Sequence, residues 1–361
     1  MKIALLIDGL GFGGAQRQMA NLAVALKERG HEIFFLKYRA DDFYKSILDE
    51  AEISPELITA KGGLARALVI RKRFNQIKPN VVISFMGSPN FYAALASIGP
   101  HKWRLIASER ICNPSLFVGR KKKIIRMIVG NRADMIVCNS KSAEDLWKKY
   151  FPKTEKKLET VYNIVQPIHS ECKPIKDGKT RFVVAARYEK EKNLERVIQA
   201  IADLSQEERQ NIELHWYGKF NVGDENSDLL SACQEKIVSR GIDKIIFLHP
   251  ATDKIHDRMA EADFVSLFSC MEGLPNGILE GMALKKPIVM TAVSDYMVLV
   301  DETNGFLCDP HSVSSITEAL RSAINTTAEE RVAMGEESYR KISSICSKKV
   351  IVDRWIELIC R

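Results

Sequence analysis

Glu272 and Glu280 stand eight positions apart across a stretch containing Gly273, Leu274, Pro275, Asn276 and Gly277. The apolar run 264–268 before them reads as a buried strand. The apolar stretch after Gly277, ending at Lys285, Lys286 and Pro287, reads as a helix. Glu272 is therefore expected on the loop, and Glu280 about one turn inside the helix. The unpaired N–H groups of a first helical turn can hold a phosphate, and a carboxylate on either side of it can grip hydroxyls. Such a set suits a nucleotide-sugar. The same residues also suit a purely structural role, because carboxylates complement a helix N-terminus and Gly, Pro and Asn make ordinary turns.

Two cations supply the complementary chemistry. Arg187 and Lys192 follow the strand-like run 181–185 closely, and together they can neutralise a diphosphate and the charge that grows on it as a leaving group. Their alternative is local pairing with Glu189 and Glu191. Near the start of the chain, Gly9, Gly11 and Gly14 satisfy G-x-G-x-x-G between a strand and a helix, the context of a dinucleotide site. An NADP-dependent oxidoreductase is thus a rival reading. The acidic residue expected after the second strand is missing, with Leu36, Lys37, Tyr38 and Arg39 in its place, and only Arg39 is suited to a 2′-phosphate. A glycine loop also serves any ligand that needs close approach to the backbone.

These residues must be positioned by elements that the apolar pattern reveals. Strand-like runs at 2–7, 32–37, 81–85, 104–108 and 135–139 alternate with helical patterns at 16–29, 64–76 and 142–151. After a Pro- and Gly-containing stretch at 166–178, a second series follows at 181–185, 212–217, 245–248, 264–268 and 287–290. The alternation predicts an α/β chain with two doubly wound, Rossmann-like parallel sheets, and ligand at the carboxyl ends of their strands. The last apolar-periodic stretch, 350–360, reads as a helix.

With 361 residues, 46% of them hydrophobic, the chain can bury two cores. No apolar run approaches the length of a membrane span, and the run 3–7 gives way at once to Asp8 and glycines, unlike a signal peptide. A cytoplasmic location is expected. The eight cysteines show no C-x-x-C pair and the seven histidines no metal spacing, so reduced core thiols and no metal are expected. Residues 1–170 hold 28 Lys/Arg against 15 Asp/Glu, a net of +13, whereas 171–361 hold 25 against 31, a net of −6. Much of the excess lies in Arg71, Lys72 and Arg73 and in Arg120, Lys121, Lys122, Lys123 and Arg126, interleaved with apolar residues. That pattern suits an anionic membrane surface or a solvated face beside a core stripe. No nucleic-acid motif accompanies the charge.

Taken together, Gly13 and Gly14 ahead of Arg17, Arg187 with Lys192, and Glu272 with Glu280 resemble the retaining family 4 glycosyltransferases of the GT-B fold. The resemblance covers nearly the whole chain, including 161–163 and 305–310. It implies an acceptor- and membrane-facing domain at 1–168, a donor-binding domain at 169–345 and a helix at 346–361 crossing back to the first, with the two sheets facing a central cleft. It implies that Arg187 and Lys192 bind the donor diphosphate, Glu280 the ribose hydroxyls and Glu272 the donor sugar. Backbone amides of Gly273, Leu274, Asn276 and Gly277 would hold sugar and phosphate, and Gly13 and Gly14 would let the first domain approach the donor. Where many relatives have a histidine after the fourth strand, this chain has Ser108, Glu109 and Arg110, so Glu109 and Arg110 are placed on the acceptor side. An arginine there orients groups or stabilises charge rather than acting as a base. The implied enzyme is a metal-independent, cofactor-free, retaining hexosyltransferase. It would move a sugar from a UDP-sugar, such as a UDP-N-acetylhexosamine, to an undecaprenyl-diphosphate-linked saccharide in O-antigen or surface polysaccharide synthesis. It would work at the inner face of the cytoplasmic membrane. A GT-B-like nucleotide-sugar epimerase is the nearest alternative.

Overall fold

Among the described residues every strand pairs in parallel with its neighbours, so the residues between strands must cross over, mostly as helices. The computed structural model describes residues 1–60, 62–219 and 225–361, leaving aside the side chains of 225–227. The chain divides into two compact units, one of Met1–Ile164 with Cys346–Arg361, the other of Val165–Ile345.

The first unit holds a seven-stranded sheet: β1 (Lys2–Ile7), β2 (Glu32–Lys37), β3 (Glu56–Leu57), β4 (Val81–Phe85), β5 (Arg104–Glu109), β6 (Met135–Cys138) and β7 (Leu158–Thr160). Their spatial order is β3-β2-β1-β4-β5-β6-β7. β1 is flanked by both β2 and β4, with Ile3 opposite Ile33 on one side and Val81 on the other. The apolar runs are continuous because both faces are covered. Ile3, Leu5 and Ile7 join one core with the helices Gly14–Glu28 and Lys348–Cys360, while Ala4 and Leu6 join another with Gly63–Ile77, Gly87–Ala96 and Arg120–Arg132. Trp355, fully buried on the last helix, stacks on Phe85 with ring centroids 6.1 Å apart.

The second unit holds six strands: β8 (Thr180–Ala185), β9 (Ile212–Gly218), β10 (Ile246–Pro250), β11 (Phe264–Leu267), β12 (Ile288–Thr291) and β13 (Gly305–Cys308), in the order β10-β9-β8-β11-β12-β13. Alternation again divides the faces. Phe182, Val184 and Phe264 enter a core with the helices Leu194–Ala202 and Val313–Ile324, whereas Val265 lies under Gly281 of the helix Asn276–Ala283. The stretch 166–178 is largely irregular but not detached: the Ser170 hydroxyl donates to Asp257 at 2.8 Å, and the Ile175 N–H to the Glu261 carbonyl at 3.2 Å.

In each sheet the strand order reverses once, between β1 and β4 in the first and between β8 and β11 in the second. Loops leaving the carboxyl ends of such a strand pair diverge to opposite faces and leave a crevice, where ligands of open α/β sheets bind. The loops after β1 and β4 carry Gly13, Gly14 and Met86. Those after β8 and β11 carry Arg187, Lys192 and Glu272.

Candidate active site

In the second unit, the loops after β8 and β11 are tied together by their backbones. The Cys270 N–H donates to the Glu191 carbonyl at 2.7 Å. Asn193, in the left-handed region at φ 71, is buried, and its side-chain amide donates to the carbonyls of Phe268 at 3.0 Å and Pro310 at 2.8 Å. Asparagine tolerates that conformation better than most residues. The tie brings Lys192, at the end of a short 3-10 turn, against the other loop: its Nζ lies 2.6 Å from Oε1 of Glu272, and both side chains are 15% exposed. The Ser269 hydroxyl donates to the same oxygen at 2.7 Å, and the Ser269 carbonyl accepts from Thr291 Oγ1 at 2.7 Å. Lys192 thus pairs with Glu272 and not with Glu191. Arg187 does pair locally, its Nη1 2.6 Å from Glu189 Oε1, with a side chain 59% exposed and open to a further anion.

Beyond Glu272 the Gly273 carbonyl accepts from the Ser294 hydroxyl, Leu274 is buried, and Pro275 precedes the helix that begins at Asn276. A Cβ on Gly277 would meet the Ala185 carbonyl at 3.5 Å, so the helix start sits directly over the end of β8. Glu280, the fifth residue of this helix, is 13% exposed and lies 3.0 Å from Nε2 of His256, the second residue of the helix Ile255–Glu261. The arrangement offers two carboxylates with hydrogen-bonding partners, two cations and a helix N-terminus on adjacent loops.

In the first unit, Gly13 is the N-cap of the helix Gly14–Glu28, in extended backbone, and a Cβ there would fall 2.4 Å from Gln16 Oε1. The Gln16 amide donates to Asp8 Oδ1 at 3.4 Å. Arg39 lies 3.3 Å from Asp8 Oδ2, an ion pair with the residue that opens the glycine loop. Met86, after β4, takes φ 77, a conformation that costs a side-chain-bearing residue on the order of 1–3 kcal/mol. Arg110 is buried, its guanidinium 4.5 Å above the Phe85 ring and donating to Asn163 Oδ1. Burial pulls its pKa down to about 9.

Glu109, expected on the acceptor side, is the last residue of β5. It is 2% exposed, and its carboxylate lies 3.0 Å from Nη2 of Arg126, itself buried. Burial raises its pKa, against the pull of Arg126. It anchors the helix Arg120–Arg132 to β5, and Arg126 is accordingly a core cation rather than part of the exposed basic face. Ser269, Asn193 and His256 were not singled out by the sequence. Only Asn193, directly before a helical pattern, carried a local signal there.

The sequence and the fold match known proteins. A model of the glycosyl transferases group 1 matches residues 165–341, and one of glycosyltransferase family 4 matches 12–167. The chain belongs to glycosyltransferase family 4, with the GT-B fold, and it is a glycosyltransferase rather than an oxidoreductase. It is 25% identical over 343 residues, 90% of each chain, to the Campylobacter jejuni N-acetylgalactosamine-N,N'-diacetylbacillosaminyl-diphospho-undecaprenol 4-alpha-N-acetylgalactosaminyltransferase. It is 24% identical to the alpha-1,3/1,6-mannosyltransferase alg2 of Schizosaccharomyces pombe, covering 93% of this chain and 76% of that one. Among solved structures, HepE of Anabaena in complex with UDP superposes with a TM-score of 0.85 at 17% identity, covering 100% of both chains.

Proposed function

We propose that the protein transfers an N-acetylhexosamine from a UDP-sugar to an undecaprenyl-diphosphate-linked saccharide, with retention at the anomeric carbon and without a metal. The observation that carries this reading is the Lys192–Glu272 pair, fixed on the two loops that flank the strand-order reversal of the second sheet. The lipid-linked acceptor and the N-acetylated sugar rest on the Campylobacter relatives. The UDP moiety is supported by the Anabaena protein's ligand together with the cations after β8.

On this reading the donor diphosphate lies between Arg187, Lys192 and the N-terminus of the helix Asn276–Ala283. Lys192 has three N–H donors and spends one on Glu272, so the same ammonium can reach a phosphoryl oxygen. Glu272 accepts from a hydroxyl of the donor sugar, and Glu280 from the ribose. As the glycosidic bond to the diphosphate lengthens, charge grows on the leaving oxygen, where the two cations stabilise it. The acceptor hydroxyl attacks from the face that the diphosphate leaves, and its proton passes to the departing phosphoryl oxygen. The carboxylates position the donor and do not exchange protons with it.

Acceptor delivery is assigned to the first unit. On the helix Arg120–Arg132, Arg120, Lys121, Lys122 and Lys123 are exposed beside Ile124 and Met127. On Gly63–Ile77, Leu64 and Leu68 are exposed near Lys72. Such faces suit the inner leaflet of a bacterial membrane.

The test is a panel of nucleotide-sugars offered with a short saccharide on a lipid diphosphate, in buffer containing EDTA, with Glu272→Ala as control. UDP release from a UDP-N-acetylhexosamine, and a product whose anomeric protons show the donor's configuration, are expected. An inverted product refutes same-face attack, and transfer from no UDP-sugar refutes the donor assignment.

A further inference from the structure

We infer that His256 is a positioning residue for nucleotide recognition, holding the Glu280 carboxylate in the orientation that accepts from ribose hydroxyls. This inference rests on the assignment of Glu280 to the ribose made above. His256 lies outside the motifs that mark the site. It precedes Glu280 by 24 positions and sits on a different helix, between β10 and β11. Its Nε2 is nevertheless 3.0 Å from Glu280 Oε2.

The chemistry of the contact fixes its direction. An ionised carboxylate only accepts, so Nε2 carries the proton and donates. The terminal torsion of a glutamate is broad and roughly two-fold, so an unsupported carboxylate samples many orientations at similar energy. A vicinal diol needs one orientation, because its two O–H donors must meet lone pairs lying in the carboxylate plane. A donor held on Oε2 selects that plane before the nucleotide arrives, and less ordering remains to be done on binding.

The surroundings suit the role. Glu280 is 13% exposed, so its contact with His256 is partly shielded from water, while His256 is 34% exposed and can be replaced without opening a core. His256 is the second residue of its helix and Glu280 the fifth of its own. Both therefore sit near the helix starts, on the side of the sheet where the strands end and Arg187 and Lys192 are found.

The probes are UDP, 2′-deoxy-UDP and 3′-deoxy-UDP, titrated calorimetrically into the full-length protein and into His256→Leu, His256→Asn and His256→Gln. The wild-type protein is expected to prefer UDP over each deoxy analogue by about tenfold or more, the scale of one hydrogen bond to a charged group. His256→Leu and His256→Asn, neither of which reaches Glu280 with a donor, should narrow that preference to about threefold or less. His256→Gln, whose amide can donate from a similar position, should keep most of it. Thermal melts accompany each variant, and the asparagine variant serves if the leucine variant is unstable. Uniform weakening of all three ligands, with the preference intact, would overturn the inference and leave His256 a structural residue. A wild-type protein that binds the three ligands equally overturns the ribose assignment and the inference with it.

Discussion

Replacing Lys192 by methionine keeps the apolar stem and deletes the charge, and its effects on folding and on turnover should differ in size. Lys192 and Glu272 meet at 2.6 Å with 15% of each side chain exposed, so solvent recovers part of what the lost ion pair gave. A hydrogen bond to a charged group contributes about 1.5–3 kcal/mol, and Ser269 continues to donate to the stranded carboxylate. A stability loss of about 2 kcal/mol follows, below the 3–5 kcal/mol of a fully buried pair that loses one partner. Turnover should fall further, by about 10²–10³, because a cation aimed at developing charge is worth about 3–4 kcal/mol in the transition state. Glu272→Ala frees the ammonium from its tether. In that background the further step to methionine at 192 should cost less than it does in the wild type, with a coupling of about 1–2 kcal/mol. UDP release gives turnover for the four proteins of the cycle, and chemical denaturation gives their stability. Turnover of Lys192→Met within threefold of wild type would remove Lys192 from the chemistry. Additivity within about 0.5 kcal/mol would show that the two residues act independently.

Two predictions concern the frame around the site. A Cβ at Gly281 would stand 2.6 Å from Val265 Cβ, so Gly281→Ala should lower stability by about 1–3 kcal/mol and displace the helix bearing Glu280; an unchanged melting temperature would contradict this packing. Glu144, on the helix Lys141–Tyr150, is pushed up by burial, but hydrogen bonds from Lys141, Lys148 and Thr160 bring its pKa down to about 2 from the usual 4.5. Because the folded pKa is the lower one, its contribution, weakened by solvent screening of the partly exposed lysines, is complete above pH 4.5 and lost as pH falls towards 2. Glu144→Gln should be less stable near neutral pH and should flatten the acid limb of the denaturation profile. An identical acid limb would show that Glu144 does not govern it.

Where the sequence could be read, a run of apolar residues long enough to cross a sheet covered on both faces was the reason. β1, β2 and β4 match their sequence patterns residue for residue, since each has an apolar centre of at least three residues. β3 has only Glu56 and Leu57, too short for any periodicity; at the other sheet edges β7 holds a single apolar residue, Leu158, and β13 is only the four residues Gly305–Cys308. The loop acids and cations were legible because glycine, proline and charge cluster there in order. Their pairing was not: Lys192 had two acids nearer in sequence, yet the tie between Glu191 and Cys270 sends it across 80 positions to Glu272. Glu109 illustrates the converse. It follows the apolar core of β5, and nothing in its neighbours foretells the buried ion pair it makes with Arg126, 17 positions on.

The helix Lys348–Cys360 packs Trp355 into the core of the first unit, although the whole second unit intervenes in the chain. During synthesis the usual order is therefore reversed. Residues 165–345 are complete and free to fold while the unit begun at Met1 still lacks its last side chains, leaving Phe85 and the neighbouring face of β1 without their cover. Loss of the final helix by proteolysis or a premature stop would accordingly damage the half of the protein made first and spare the half made second. The nascent amino-terminal half, with an incomplete apolar face, is the part with most need of a chaperone.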